Sequence, residues 1–251
     1  MKRPVLKLAA LAIVVYIATL LALFPASLAL RWFLPAIPGL VVGPASGTIW
    51  DGSVTGIEYA GWNPGRATWK LDPFALLTLR AAADMHVDRG NAAPIRFSVS
   101  AGLAGDVDIS NLQATLTLAD LERARVMPRN IASGEILLNL PRLELVDGRP
   151  VAAEGRVSLA GLQSAFLPGV ALGSYEGELK TTETGITATF RDAEAPLGVT
   201  GQAQLQPDGR YSASGSITPR SETPEGLRRG LGLLGQPDAS GRYSFSFNGQ
   251  L

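Results

Sequence analysis

The chain has 251 residues with equal numbers of basic and acidic side chains, so its net charge at neutral pH is zero. Three cations and no acids precede residue 31, which leaves a net charge of −3 on the rest and argues against nucleic-acid binding. There is no cysteine, which excludes disulfides, thiolate metal sites and a cysteine nucleophile, and the 46% hydrophobic content argues against disorder.

The N-terminal segment has the pattern of a membrane anchor. Leu8 to Leu30 is uncharged, and about 20 apolar residues suffice for a helix to cross a bilayer. All three cations precede this run, and after Arg31 the next basic residue is Arg66. We therefore predict a cytoplasmic segment over 1–7, a transmembrane helix over 8–30 and the remainder outside the cytoplasm. Trp32 then lies where an aromatic side chain marks the membrane interface.

A cleaved signal peptide is the alternative interpretation of this segment. Ser27-Leu28-Ala29 resembles a small-x-small cleavage site, and Pro25 would break the helix just before it. The apolar core of a signal peptide is usually about 7–15 residues long, which is shorter than this run. The length therefore favours an uncleaved anchor.

The sequence beyond the anchor predicts a short linker and then many strands. Residues 31–47 are rich in proline and glycine and are predicted to form the linker. From Thr48 the hydrophobic period becomes two, and Asp51-Gly52 is a hairpin signal. Twenty-eight glycines spaced between alternating segments indicate tight turns between short strands. Pro224 to Leu234 is predicted to be an amphipathic helix with Leu227, Leu231 and Leu234 on one face.

The strand pattern determines the predicted fold class. About thirteen short strands occupy residues 48–251, and open twisted sheets of more than roughly 10 strands usually curl or split. We therefore predict a mainly β domain built on one large curved antiparallel sheet, either a half-pipe or an open barrel. Its edges need protection by Pro141, by charge, by the late helix or by a partner.

The chain has few side chains of the kinds that act in catalysis. His86 is the only histidine, and Asp84 and Asp88 flank it at spacings that place all three on one strand face. This group could hold a metal or orient the imidazole, but an exposed face of mixed charge is favoured because a zinc site needs more ligands. Gly230 to Gly235 spells a dinucleotide-binding motif, yet it ends a helix instead of following a strand. We predict no enzyme activity, no metal site and no cofactor.

The tryptophans are confined to the first seventy residues. Trp50 and Trp69 alternate with polar neighbours, which favours packing in the core. The alternative is an interaction surface formed by Trp50, Trp62 and Trp69, because aromatic side chains are enriched in the cores of interfaces.

Three stretches together carry a resemblance that runs nearly from end to end of the chain. The chain resembles the N component of the type II secretion system, the general secretion pathway protein N family. The stretches that carry the resemblance are Ser46-Gly47-Thr48-Ile49-Trp50-Asp51-Gly52, Trp69 to Leu77, and a tail with Leu227, Leu231, Leu234-Gly235-Gln236-Pro237-Asp238 and Gly241-Arg242-Tyr243.

The resemblance implies a single-pass inner-membrane protein of Gram-negative bacteria with its bulk in the periplasm. It implies an accessory part in moving folded exoproteins across the outer membrane, with the secretin or the inner-membrane platform as partners. The family carries no catalytic motif that could be transferred. The alternative function is a periplasmic lipid-binding or lipid-bridging protein, in which an unfilled apolar groove of the sheet would hold phospholipid.

Overall fold

One antiparallel sheet dominates the protein. The computed structural model describes residues 11–13, 15–17, 19–33, 39–166, 169–232 and 235–250, without the side chains of residues 32 and 33. Fourteen strands follow one another in chain order, except that β1 and β2 both pair with β3. The strands are β1 Leu40–Val41, β2 Ala45–Gly47, β3 Asp51–Tyr59, β4 Trp62–Asp72, β5 Arg80–Arg89, β6 Ala92–Gly102, β7 Asp106–Thr117, β8 Ala132–Val146, β9 Arg149–Ser164, β10 Ala171–Thr182, β11 Gly185–Glu194, β12 Leu197–Leu205, β13 Arg210–Pro219 and β14 Tyr243–Gln250.

The predicted fold class is confirmed for the sheet, which is antiparallel and not closed. A proline between alternating segments indicates an edge or a bulge at Pro141. The structure confirms the second alternative, since Pro141 lies in the inner strand β8, where the pairing with β9 shifts between Asn139 and Arg142. A proline lacks the amide hydrogen that a regular ladder requires, so the shift accommodates it. Pro141 therefore protects no edge of the sheet.

The register separates the sheet into an apolar face and a polar face. Val54, Ala67, Val87 and Ile95 lie opposite one another on four neighbouring strands and form one row of the apolar face. The next row lies on the polar face and consists of Thr68, His86, Arg96 and Gln113. Because side chains alternate along a strand, this division extends over the length of each strand.

Two buried clusters lie on the apolar face. The first joins residues of β3 to β7, with Leu30 from the N-terminal region packed against it. The second joins Leu197 of β12 to Leu227 and Leu231. Most other large apolar side chains are only half-buried, since a single sheet has no second layer of protein to cover it.

Besides the helical residues before Pro25, the described chain has the helices α1 Ala26–Phe33, α2 Leu118–Arg123 and α3 Glu225–Leu231 and a 3₁₀ turn, Ala75–Thr78. The predicted late helix is confirmed as α3, which buries Leu227 and Leu231. Leu234 lies outside the described residues. The sequence also predicts a helical turn over residues 73–79, and the 3₁₀ turn occupies its centre.

The N-terminal region is interrupted near Pro25. Residues 11–13, 15–17 and 19–22 are helical, and the chain leaves the helix at Leu23 before α1 begins at Ala26. A proline has no amide hydrogen for the helix ladder. Within the described residues, no helix is both long and apolar enough to cross a membrane. The transmembrane helix over 8–30 therefore stays a prediction.

Other predictions for this region have mixed outcomes. The cytoplasmic segment 1–7 and the side chain of Trp32 lie outside the description. The predicted linker, residues 31–47, contains the end of α1 and the strands β1 and β2, which pair with β3. The hairpin predicted at Asp51-Gly52 exists, but Gly47 pairs with Gly52, so Gly52 lies in β3 and not in the turn.

Glycines inside strands make room for aromatic rings across the ladder. Gly52 lies opposite Trp69, and a Cβ atom there would come within 2.7 Å of the indole Cε2. Gly215 lies opposite Phe245, where a Cβ would come within 2.6 Å of the ring Cζ. The same arrangement joins Gly201 to Phe190 and Gly249 to Tyr211. The prediction that glycines mark turns is therefore wrong for these four positions.

Candidate interaction surfaces

Trp50 and Trp69 fasten the N-terminal region to the sheet. The indole nitrogen Nε1 of Trp50 donates to the carbonyl of Leu21 at 2.7 Å, and Nε1 of Trp69 donates to the carbonyl of Ile49 at 2.9 Å. The Ile49 amide donates to the carbonyl of Phe24 at 2.9 Å. These bonds hold residues 21–24 against the start of β3.

Trp62 lies at the other end of β4 and contacts a buried ion pair. Its Nε1 donates to Asp120 Oδ1 at 3.2 Å, and the guanidinium carbon of Arg89 lies 5.8 Å from the centroid of its ring. Arg89 Nη2 donates to Asp120 Oδ2 at 2.6 Å, and the two side chains are only 8% and 7% exposed. A desolvated cation over an indole face is a favourable contact.

Asp120 also caps the start of helix α2, as its third residue. Its carboxylate accepts from the Thr117 amide at 2.9 Å, while the Thr117 hydroxyl accepts from the Asp120 amide, which together form a capping box. Burial by itself raises the pKa of the Asp120 carboxyl, but the bonds from Thr117 and Arg89 outweigh burial and lower that pKa.

The Asp120 cluster connects distant strands. Arg89 ends β5 and also donates to the carbonyl of Thr115 on β7 at 2.6 Å. Trp62 on β4 reaches Asp120, which follows β7, although strands three places apart in a flat sheet are about 14 Å apart. Helix α2 and this end of the sheet therefore close toward each other over the apolar face.

The three tryptophans do not lie side by side. Trp62 and Trp69 are seven residues apart on β4, which places them about 23 Å from each other. All three are half-buried, and each indole N–H donates within the chain. Packing therefore accounts for these side chains, and their contact with a partner stays a prediction.

The two edges of the sheet differ in their protection. On the β3 side the edge is covered by β1 and β2, which have only two and three residues and are separated by Val42-Gly43-Pro44. Edges made of very short strands interrupted by proline discourage pairing with another chain. The first edge is therefore blunted.

The opposite edge is open. Strand β14 pairs with β13 along its whole length, from Tyr243 to Gln250, and no other strand in the described residues lies along its outer side. It contains neither a charged residue nor a proline. An edge without these features is a template on which another strand can pair.

The apolar face continues onto β14 through Tyr243, Phe245 and Phe247, which alternate along the strand. Phe245 stacks on Phe190 with ring centroids 6.3 Å apart, and Phe247 lies 5.6 Å from Phe245. Phe247 is 59% exposed. The alternation Tyr243-Ser244-Phe245-Ser246-Phe247 is the signal that could have revealed this edge, and the sequence pattern singled out only Gly241-Arg242-Tyr243 at its start.

The polar face offers shallow clefts lined by paired charges. One cleft of about 600 Å³ contains Arg191 and Glu176, whose side chains are joined at 3.1 Å. Another contains His86, whose Nδ1 accepts from Arg96 Nε at 3.3 Å, while Asp84 accepts from Ser98. Asp84 and Asp88 share its face, but within the described chain no three histidine, aspartate or glutamate side chains gather as a metal site.

Known proteins match this chain over most of its length. The family model for type II secretion system protein N matches residues 38–246, a range that contains nearly the whole sheet. The chain belongs to the type II secretion system protein N family. Protein N of Aeromonas hydrophila is 29% identical over the whole of both chains, and that of Vibrio cholerae serotype O1 is 30% identical over 87% of this chain and 88% of its own length.

The family membership confirms the resemblance seen in the sequence. Protein N of Klebsiella pneumoniae is 28% identical over 82% of this chain and 81% of its own length. No solved structure matches the chain. As a member of the protein N family, the chain is a component of the type II secretion system, and its sheet is the part that the family model describes.

Proposed function

We propose that this protein N is an accessory, non-enzymatic subunit of the secretion apparatus, anchored in the inner membrane with its sheet in the periplasm. In this proposal it binds another component, either the secretin or the inner-membrane platform, by strand addition at β14. The observation that carries the proposal is the difference between the two edges, since one is blunted and the other is long, uncharged and open.

The outer side of β14 specifies what it would bind. Eight residues in a strand span about 27 Å, and their outward amides and carbonyls give main-chain affinity for an extended segment. The incoming strand continues both faces of the sheet if its side chains alternate between apolar and polar. Phe247, exposed at the edge of the apolar face, would then be covered by an apolar side chain of the partner.

The anchoring part of the proposal rests on the helical residues before Pro25. Apart from Thr19, whose hydroxyl donates to the Val15 carbonyl within the helix, the described residues are apolar and exposed, which is typical of a helix placed in lipid. The exposed large side chains are Leu11, Ile13, Val15, Tyr16, Ile17, Leu20 and Leu21.

The proposal is tested by photocrosslinking in secreting cells. A photoreactive amino acid replaces Phe247 at the open edge or, as the matched control, Leu137, which is 42% exposed on the inner strand β8. We expect adducts with the secretin or platform proteins at position 247 and none at position 137. Adducts with a second copy of the chain, or with lipid alone, would overturn binding of another component at this edge.

Phe247→Lys should weaken the complex without unfolding the protein. A lysine on an edge strand opposes further pairing, so we expect at least tenfold weaker binding to the partner identified by crosslinking, or about 1.4 kcal/mol. The free energy of unfolding should change by less than about 0.5 kcal/mol because the side chain is largely exposed. Phe166→Lys, in an exposed loop, serves as the control and should leave binding unchanged. Equal effects of the two lysines would contradict a role for the edge.

Lipid binding is a second candidate function. The observation that favours it is a strip of apolar side chains on the middle strands that is only half-buried, comprising Val157, Leu159, Leu179, Ala188 and Phe190. If acyl chains cover this strip, the purified full-length protein should retain at least one phospholipid per chain in native mass spectrometry. A mass equal to the polypeptide alone after mild detergent extraction would reject this candidate.

A further inference from the structure

One end of the sheet lies beside the N-terminal helix. The bonds from Trp50 to Leu21 and from Ile49 to Phe24 place the helix next to the start of β3. The Leu71 amide donates to the carbonyl of Trp50 at 2.7 Å, so the end of β4 lies at the same place. We call this the helix-proximal end of the sheet.

Two loops at the helix-proximal end carry exposed apolar side chains. The β4–β5 loop follows Asp72, and the β6–β7 loop lies beside it because Arg80 pairs with Gly102. The apolar side chains on these loops form what we call the apolar rim, and their exposed fractions are 75% for Phe74, 44% for Leu76, 82% for Leu77, 68% for Leu79 and 83% for Leu103.

The apolar rim occupies only the half of this end nearest the helix. The β10–β11 and β12–β13 loops project from the same end, since Thr182 pairs with Gly185 and Leu205 with Tyr211. Their tips consist of polar residues and a proline, Glu183-Thr184 and Gln206-Pro207-Asp208-Gly209. Exposed leucines are therefore a feature of the loops near the helix and not of every loop at this end of the sheet.

An ion-pair cluster holds the two loops of the rim together. Arg80, the first residue of β5, donates to Asp106 Oδ2 at 2.5 Å and also to Asp108 at the start of β7. The Asp72 carboxylate accepts from the Phe74 amide at 2.9 Å and fixes the start of the first loop. These contacts therefore fix the two loops of the rim relative to each other, and the charge of Arg80 beside the rim is paired.

The backbone at Leu79 is unusual. Its φ of 58° lies in the left-handed region, which glycine or asparagine adopts far more readily than leucine. Its side chain is largely exposed, so packing within the chain does not explain a leucine there. A largely exposed leucine kept in an unfavourable conformation points to a role for its side chain outside the fold.

We propose that the apolar rim inserts into the surface of the same bilayer that holds the N-terminal helix. The inference rests on the anchoring stated under the proposed function. It is favoured by continuity, because the exposed apolar surface of the described residues between Leu11 and Leu23 leads through the junction at Trp50 to the rim. Several apolar side chains on braced loops, beside a paired cation, match the acyl boundary of a membrane.

Insertion of the rim would orient the whole sheet. The helix-proximal end would rest on the membrane with the β4–β7 half downward. The opposite end, with the exposed Val126 and Phe166, would project away by the length of the strands, about 33 Å for ten residues. The open edge β14 would then stand upright and accessible to a partner in the periplasm.

The chain contains no cysteine, so single-cysteine variants of the full-length protein test the proposal directly. L77C and L103C place an environment-sensitive fluorophore on the rim. E183C is the control on a polar loop of the same end, and V126C is the control on an exposed apolar site at the far end. Each variant is reconstituted into phosphatidylcholine vesicles, separated by flotation, and then compared with the same protein in vesicles of brominated phosphatidylcholine.

We expect every variant to float. Brominated lipid should reduce the fluorescence at least about twofold at positions 77 and 103, and by less than about 10% at positions 183 and 126. Flotation without quenching at 77 and 103 would overturn the rim and leave the anchor intact. Failure of all variants to float would overturn the anchor, and the rim with it. Equal quenching at 126 would overturn the orientation on which the rim depends.

Discussion

Replacing Asp120 by alanine is expected to lower the free energy of unfolding by about 3–5 kcal/mol, because it leaves the buried cation of Arg89 without a partner. The substitution also removes the acceptor of the Trp62 indole and the side-chain half of the α2 capping box that Asp120 supplies. Chemical denaturation of the full-length protein, followed by tryptophan fluorescence, gives the measurement. Trp62 lies in the cluster and reports on its loss.

Arg123→Ala is the matched control for Asp120→Ala. Arg123 donates to the same carboxylate at 3.2 Å, but its side chain is 62% exposed. Solvent screens such a pair, so its loss should cost less than about 1 kcal/mol. If the two substitutions destabilise the protein equally, the buried pair with Arg89 is not what gives Asp120 its importance.

The Asp120 pair should also make stability depend on pH in one direction. Because folding lowers the pKa of this carboxyl, the ionised form stabilises the native state. That contribution is complete above the ordinary aspartate pKa of about 3.9 and is lost as the pH falls from there through the lowered pKa of the folded protein. Unfolding titrations that continue from pH 5 to well below the ordinary aspartate pKa of about 3.9 should show a smaller loss of stability for Asp120→Asn than for the unmodified chain. Parallel pH profiles would contradict this assignment.

Gly52→Ala should destabilise the protein by about 1–3 kcal/mol, through overpacking against Trp69. The new Cβ would lie within 2.7 Å of the indole and 2.8 Å of the Thr48 carbonyl, so either the ring or the backbone must move. Displacing the ring breaks its hydrogen bond to Ile49, which borders the junction with the N-terminal helix. Limited proteolysis near residues 23–50 should therefore accelerate along with the loss of stability.

A glycine in open space gives the control. Gly230 lies in helix α3, where an added Cβ atom would meet no other atom within 4 Å, and its φ is not positive. Gly230→Ala should therefore raise stability by about 0.5–1 kcal/mol. Combining Gly52→Ala with Trp69→Leu should cost less than the sum of the two single changes, because the leucine frees the space that the new methyl group needs. Additive effects would show that the close approach of Gly52 and Trp69 is not the cause.

Local pattern was sufficient for several elements. The period of two from Thr48 onward, and the number of such segments, predicted an open antiparallel sheet, since few other folds can bury so many alternating strands. The spacing of Leu227 and Leu231 predicted α3 and the face that it buries. Each of these signals is formed by residues that lie within a few positions of one another along the chain. Periodicity alone could therefore reveal it.

Other elements depend on partners that are remote in sequence. Trp62 and Asp120 are 58 positions apart, and Arg89 and Asp120 are 31 apart. Hydropathy marked Leu8 to Leu30 as one helix, yet the helix is interrupted where Phe24 and Pro25 meet Thr48 and Ile49. Hydropathy cannot show that the Phe24 carbonyl accepts a hydrogen bond from the Ile49 amide, which lies outside the helix.

The sequence by itself determined the strand period, the polarity of the two faces and membership of the family, because each is written in residues that are neighbours or alternate along the chain. Only the tertiary structure decided which edge stays open, why glycines lie under aromatic rings, and where the exposed leucines gather. The physical reason is register: pairing places Gly52 against Trp69 and leaves the outer side of β14 unpaired within the described chain. Register is fixed by the packing of the whole sheet and not by any single strand.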